Sequence, residues 1–480
     1  MEKKKKRVPP DGGWGWVIVF AFALFNFLVV PMFQNYGLIF RNKFREIGLS
    51  AADESFIVTS GLAIGMLAGF SYGPILKKFG YRKVCLTSAL FTSFGTIIMM
   101  FANSMLGFIV TYGLFTSIGI ASGMTGYSFA LNSYFLKKRS FATGFAFTIT
   151  CMGSILMPQL LSFLLSIYDV KGTVLIVGGL TLNTFVSALL LQPVKWHMKE
   201  VDDDDIINEI NNASLRNAVY TIKIDDKDRK EELQSYGNHR TIISVSTTTI
   251  SSDPNLKVTE EERIGLKKML YNVAHTFDLS LLKDGSFINL LFGIALANFA
   301  ELSFSSLTPF ILSDLNFTIP EIAMFLSSLS VSDLIFRFIT PFIGRYLNQS
   351  SRSMCMVSFC LLTLTRFTLL FHAKSFAWII VIALCIGTAK GIRTVYWTLV
   401  IPDYVPLRRL PSASGLSMFL NGIVLLAGGP LLGVARDLTG NYVNCIYITN
   451  SITMMAIAMW SCEILYTKWK KCASQEITKL

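Results

Sequence analysis

The chain has 480 residues; 52% are hydrophobic and 15% charged, and 43 Lys and Arg face 31 Asp and Glu for a net charge of +12. A soluble domain is about 25% charged and a bilayer crossing takes about 20 apolar residues, which excludes a soluble enzyme, a disordered chain and a single-pass receptor. In so apolar a chain the basic excess reads as loop charge that orients helices, not as a nucleic-acid surface.

The basic start, Lys3 to Arg7, leads into an apolar run too long for a cleavable signal and with no small-residue cleavage site. Further runs follow, giving about 14–40, 55–76, 84–102, 106–133, 140–168, 172–192, 286–313, 319–344, 353–372, 375–402, 410–435 and 443–467. They are continuously apolar, whereas barrel strands alternate. The expected fold is therefore an all-α membrane protein of twelve transmembrane helices in two six-helix bundles. Residues 1–13 form a tail, 14–194 the first bundle, 195–285 a loop, 286–467 the second bundle and 468–480 a second tail.

Basic residues cluster in alternate loops: Lys77, Lys78, Arg82 and Lys83 after helix 2, Lys137, Lys138 and Arg139 after helix 4, Arg408 and Arg409 after helix 10. The positive-inside rule then places both termini and the 195–285 loop in the cytoplasm. That loop holds the acidic run Asp202 to Asp205 and a Ser/Thr cluster from Ser244 to Ser252, and reads as a mostly disordered tether. No Cys falls in a CxxC pair, so neither a metal site nor a disulfide framework is expected.

The two halves repeat. Helix 5 starts Lys137-Lys138-Arg139-Ser140-Phe141-Ala142-Thr143-Gly144, and helix 11 starts Arg408-Arg409-Leu410-Pro411-Ser412-Ala413-Ser414-Gly415. Pro74 before Arg82 matches Pro341 before Arg345 and Arg352. A repeat of six helices on either side of a long loop suits a carrier whose bundles rock about a midplane site.

Ionisable residues at helix centres are costly and default to functional candidates. Helices 1 to 6 hold none there; Glu301 (helix 7), Asp333 and Arg337 (helix 8), Arg366 (helix 9), and Lys390 and Arg393 (helix 10) all fall in the second half. Four cations against two carboxylates leave a positive surplus that an anionic substrate would neutralise. Asp333 and Arg337 are four apart and share a helix face, and a guanidinium clamps a carboxylate through two parallel hydrogen bonds. Arg337 is thus the expected anion-binding residue and Asp333 the expected proton-coupling residue, with Glu301, Arg366, Lys390 and Arg393 a network around them. No catalytic or metal-binding residue is expected.

The loop Gly73-Pro74-Ile75-Leu76-Lys77-Lys78-Phe79-Gly80-Tyr81-Arg82-Lys83 resembles the signature loop of the major facilitator superfamily, with Lys77 where that loop has its acidic residue. Asp11-Gly12-Gly13-Trp14-Gly15-Trp16 before helix 1, Tyr134-Phe135-Leu136-Lys137-Lys138-Arg139 before helix 5, and Gly429-Pro430-Leu431-Leu432-Gly433 in helix 11 resemble the monocarboxylate transporter family of solute carriers. The resemblance implies a plasma-membrane symporter of a small carboxylate, without cofactor, coupled through Asp333 and Arg337, and gating by Asp11, Gly13, Trp14, Trp16, Lys137, Lys138 and Arg139. As in some relatives, it also implies a single-pass ancillary glycoprotein as partner. The lysine that proton-coupled lactate carriers of that family have late in helix 1 falls here on Gln34, which hydrogen-bonds but carries no charge; Asn35 and Tyr36 follow it as further substrate-contact candidates. A proton-independent carrier of aromatic or zwitterionic metabolites, and a non-transporting sensor or scaffold, stay open as alternatives. The end Thr478-Lys479-Leu480 has the form of a ligand for PDZ domains, which capture a terminal carboxylate at Leu480.

Overall fold

The computed structural model describes residues 5–49, 51–202, 278–372, 376–439 and 444–477. Among them eleven helices are long and apolar enough to cross a membrane, or twelve when one bent pair is taken as a single span. The first half comprises α1 (Gly15–Gln34, carried on past Asn35 by Tyr36–Glu46), α2 (Ala51–Leu67 and Gly69–Phe79), α3 (Tyr81–Ile98), α4 (Met105–Tyr134), α5 (Arg139–Ile167) and α6 (Val170–Leu189). The second comprises α7 (Gly285–Asp314), α8 (Ile319–Leu347), α9 (Ser351–His372), α10 (Phe376–Tyr404), α11 (Leu410–Thr439) and α12 (Asn444–Ile477). Every apolar run of the sequence falls on one of these helices.

Local chemistry sets the irregularities. The two parts of α2 meet at a 44° bend, where Ser71 Oγ donates to the Ala68 carbonyl at 2.7 Å and Tyr72 OH to the Gly65 carbonyl at 3.0 Å. Side chains that bond carbonyls of the preceding turn compete with the helix ladder and bend it. At the start of α8 Thr318 and Glu321 form a capping box that brackets Pro320. Hydrogen bonds from the Thr318 hydroxyl and N–H hold the exposed Glu321 carboxyl below its ordinary value.

Two departures from the sequence reading concern length and strands. α12 continues as a helix to Ile477, ten residues past the apolar run. No Pro or Gly interrupts this stretch, and Thr467 Oγ1 bonds the Glu463 carbonyl at 2.8 Å. A short antiparallel ribbon pairs β1 (Lys5–Val8) with β2 (Lys199–Asp202), in a register that sets the Lys5 position against Asp202 and Arg7 against Glu200. Asp203 to Asp205, the Ser244–Ser252 cluster and Thr478-Lys479-Leu480 lie outside the described residues.

The halves meet through α2 against α11 and α5 against α8, the helices whose ends carry the sequence repeat. Glycines allow the approach. A Cβ at Gly73 would fall 2.6 Å from Ser412 Cα, one at Gly415 2.4 Å from the Gly69 carbonyl oxygen, and one at Gly144 2.6 Å from the Pro341 ring. These contacts lie toward the face where α1 begins and α12 ends, hereafter the terminal face. The bundles are thus joined by close backbone contacts toward the terminal face.

Candidate functional site

Helix α8 carries Asp333 and Arg337 one turn apart, and the geometry is a two-pronged clamp: Arg337 Nε donates to Asp333 Oδ1 at 2.7 Å and Nη2 to Oδ2 at 2.6 Å. The third prong, Nη1, reaches the Phe147 carbonyl of α5 in the other half at 3.3 Å. Asp333 is 3% exposed, so the pair is removed from bulk solvent. Against this segment α10 lies very close. A Cβ at Gly387 would stand 2.3 Å from the Leu329 carbonyl oxygen, and one at Gly391 2.9 Å from the Asp333 carbonyl oxygen. Ser332 Oγ fixes the contact through the Leu384 carbonyl at 2.8 Å and Thr388 Oγ1 at 3.1 Å.

A second charge group sits between α7, α9 and α10. Glu301 accepts from Arg366 Nη2 at 2.6 Å, stands 3.9 Å from Arg393 Nη2, and receives Ser305 Oγ at 3.3 Å. The Arg366 guanidinium, 1% exposed, lies 4.3 Å from the Phe304 ring centroid, and that of Arg393 5.4 Å from Trp397. Cation–π contact supplies part of what burial removes. Lys390 is half-buried, and among the described residues no carboxylate lies within ion-pair distance of it.

The structure brings Glu301, Arg366 and Arg393 into one group and Asp333 and Arg337 into another. It does not bring Asn35 or Tyr36 to Arg337. Asn35 Nδ2 bonds the Pro31 carbonyl at 2.7 Å, sealing the end of its own helix. Tyr36 is buried among Phe40, Phe44 and Tyr112 inside the first half. Of Gln34 only the backbone, at the end of α1, is described.

The family motifs assemble at the terminal face. Asp11, in the left-handed region with φ 48°, accepts from the N–H groups of Leu136, Lys137 and Lys138 at 2.7, 2.9 and 3.3 Å, and its own N–H reaches the Tyr134 carbonyl at 3.1 Å. An acidic group there satisfies donors ahead of α5 and complements the helix dipole. Gly13, with φ 56°, completes the turn. Trp14 Nε1 bonds the Leu190 carbonyl at 3.3 Å, and Trp16 packs edge-on against Phe135, 5.5 Å between centroids. Arg139 crosses to the second half, donating from Nη1 to the Pro402 carbonyl at 3.2 Å and to Asp403 Oδ1 at 3.4 Å, while Asp403 also accepts from Ser351.

Sequence reasoning missed Phe147, Gly387, Gly391, Asp278 and Asp403. The Phe147 carbonyl leaves no trace in residue type. Gly387 and Gly391, four apart on α10, carried a readable small-residue signal. Asp278, just before α7, pairs with Lys77; a basic residue in the superfamily's acidic position was the signal that a partner acid had to come from elsewhere.

A sequence profile of the Major Facilitator Superfamily matches residues 15–429. Monocarboxylate transporter 13 of Bos taurus is 24% identical over 93% of this chain and 88% of its own length. Human monocarboxylate transporter 7 is 25% identical over 91% and 84%, and chicken (Gallus gallus) monocarboxylate transporter 4 is 24% identical over 94% and 84%. In fold the chain is similar to XylE, a major facilitator superfamily proton:xylose symporter, with TM-score 0.57 and 12% identity over 93% of this chain and 94% of that one. Motifs, paired bundles and matches across both halves agree: the chain is a multi-pass membrane protein that belongs to the monocarboxylate transporter family of the major facilitator superfamily.

Proposed function

We propose that the protein is a plasma-membrane secondary transporter of small monocarboxylates of the lactate and pyruvate type, working by alternating access with both termini cytoplasmic. One observation carries the reading: a single guanidinium, Arg337, holds the Asp333 carboxylate with two N–H groups and the backbone of the opposite half with a third. A substrate carboxylate has the shape and charge of the Asp333 carboxylate and competes for the same two donors. When it displaces Asp333, that carboxyl is left in a low-dielectric site and takes up a proton. The exchange keeps charge balanced and alters the Arg337 link between the halves. In this reading the terminal face is the cytoplasmic gate, with Asp11, Arg139 and Asp403 holding it shut.

The test is uptake of radiolabelled lactate and pyruvate in oocytes with and without an inward proton gradient. Wild-type protein is expected to show saturable, acid-stimulated uptake, and Arg337→Ala to abolish it while surface expression persists. Wild-type-like uptake in Arg337→Ala would remove Arg337 as the anion site. Uptake of aromatic amino acids indifferent to pH would replace the reading by a facilitative carrier, and no uptake of any substrate by surface protein would replace it by a sensor.

A further inference from the structure

The positive surplus of the intramembrane charges has a location. Arg337 is neutralised by Asp333 through two hydrogen bonds, and its remaining contact is a carbonyl. Glu301 is shared by Arg366 and Arg393, so one positive charge is left over in that group. The shorter contact goes to Arg366, at 2.6 Å against 3.9 Å, which leaves Arg393 the less satisfied partner. The Nε–H groups of both arginines are buried and make no hydrogen bond among the described residues, so the difference rests on the carboxylate distance. The other surplus charge is Lys390, three residues earlier and therefore on the same side of α10.

The surroundings of Lys390 place it between the two charge groups. Its neighbour Gly391 touches the backbone of Asp333 and Arg337. Its helix, α10, packs against both α8 and α5 of the first half. Lys390 thus lies on the segment of α10 that meets α8, on a helix that also meets α5. Half-buried, and with no carboxylate within ion-pair distance among the described residues, Lys390 is a cation that a bound anion would complement.

We propose that Lys390, with Arg393 one turn further along α10, forms an anion subsite that takes the substrate carboxylate before Arg337 does. The inference rests on the transport reading above and deepens it. Docking on Lys390 breaks no existing bond, whereas docking on Arg337 must displace Asp333, so capture precedes exchange. The ligand class is a small organic anion whose carboxylate moves from an ammonium to a guanidinium.

The test uses the full-length protein with pyruvate as probe, in two measurements. In oocytes, Lys390→Met is expected to raise the KM for pyruvate by about tenfold or more, the size of one charge-assisted hydrogen bond, with the ratio of uptake at acid and neutral pH unchanged. Lys390→Arg keeps the KM near wild type, and Arg393→Gln raises it less than Lys390→Met. In detergent, sodium pyruvate is expected to raise the unfolding temperature of the wild type above sodium chloride at matched ionic strength, and Lys390→Met to lose that increment; Lys390→Gln serves if the Met variant does not fold. An unchanged KM and an unchanged pyruvate increment in Lys390→Met would overturn the subsite and leave the transport reading standing. Stabilisation that depends on Lys390 without any uptake would overturn transport and leave the subsite. Neither uptake nor stabilisation in the wild type would overturn both.

Discussion

The two halves share a framework and differ in chemistry. Aligning Pro74 with Pro341 sets Phe70 of α2 in the place of Arg337 of α8, and Met66 in the place of Asp333. Phe70 meets Phe419 of α11 at 5.5 Å, and Met66 packs near Phe299 and Leu425. The α2–α11 contact is therefore apolar adhesion, where the related α5–α8 contact contains an ion pair. Among the described residues, the Asp, Glu, Lys and Arg side chains near helix centres belong to the second half, and the first half contributes a carbonyl, Phe147, to the charge cluster. A duplicated frame lets one copy hold packing while the other accumulates charge, because the contacts that join the bundles survive in either chemistry.

The largest effect expected from breaking this asymmetry is at Glu301. It is 4% exposed and balances two arginines. Glu301→Ala leaves both uncompensated and is expected to cost about 3–5 kcal/mol, the penalty for removing one member of a buried ion pair. Thermal unfolding in detergent and surface abundance both report it. Adding Arg366→Leu is expected to recover part of the loss, since only Arg393 then lacks a partner. A Glu301→Ala protein as stable as the wild type would show that water, not Glu301, solvates the arginines.

Next in size is the α8–α10 contact. Gly387→Val drives a side chain into the Leu329 carbonyl, a backbone atom that cannot swing away. Overpacking of this kind costs about 1–3 kcal/mol, and here it also parts Lys390 from the Asp333 segment, so uptake is expected to fall further than stability alone dictates. Gly179 in α6 of the first half is the control, since nothing lies within 4 Å of a Cβ built there. Gly179→Ala is expected to leave both readouts unchanged.

The sequence carried the spans, the pairing of Asp333 with Arg337 and the repeat, since each is written in one chain segment or in two segments of matching pattern. An i, i+4 pair needs only a helix to bring its members together, and a continuous apolar run needs only a bilayer. What it did not carry is whatever depends on which helices touch. That Glu301 selects Arg366 and Arg393, with no carboxylate at ion-pair distance from Lys390 among the described residues, is a fact of helix crossing. Tyr36 shows a further case: it read as a substrate-contact candidate from its place late in helix 1, and that it packs with Phe40, Phe44 and Tyr112 of the first half depends on which helices touch. The same geometry explains why Asp403 and Asp278 were passed over, for their partners, Arg139 and Lys77, lie in the other half.

Asn26 sharpens the view of the first half as packing. It is fully buried on α1, and neither its amide nitrogen nor its oxygen has a hydrogen-bond partner among the described residues. A buried amide without partners costs about 1–3 kcal/mol. Asn26→Leu, with the same branching and number of heavy atoms, is therefore expected to keep or raise the unfolding temperature and to leave the KM for substrate unchanged. A clear loss of uptake with stability preserved would place Asn26 in the transport path and end the division of labour between the halves.

The smallest effect is at the terminal face, where the first half does contribute charge. Lys77 pairs with Asp278 across the two halves, and both side chains are partly open to water, at 31% and 18% exposure. An exposed pair contributes about 0–1 kcal/mol, too little to alter folding but enough to shift a balance between a closed and an open face by up to about fivefold. Lys77→Asp sets two carboxylates together and is expected to favour the open face, read as faster labelling of a single cysteine placed at position 412, where Ser412 is shielded by Gly73. Asp278→Lys alone is expected to act in the same direction by opposing two cations. The double exchange restores the pair and the slow labelling. Because the pair is exposed, the difference is expected to fade at high salt, where charges are screened within about 3 Å at 1 M. Labelling that fails to recover in the double exchange would mean that Lys77 holds the face through its fold contacts alone, and that closure is the work of the buried Arg139 link.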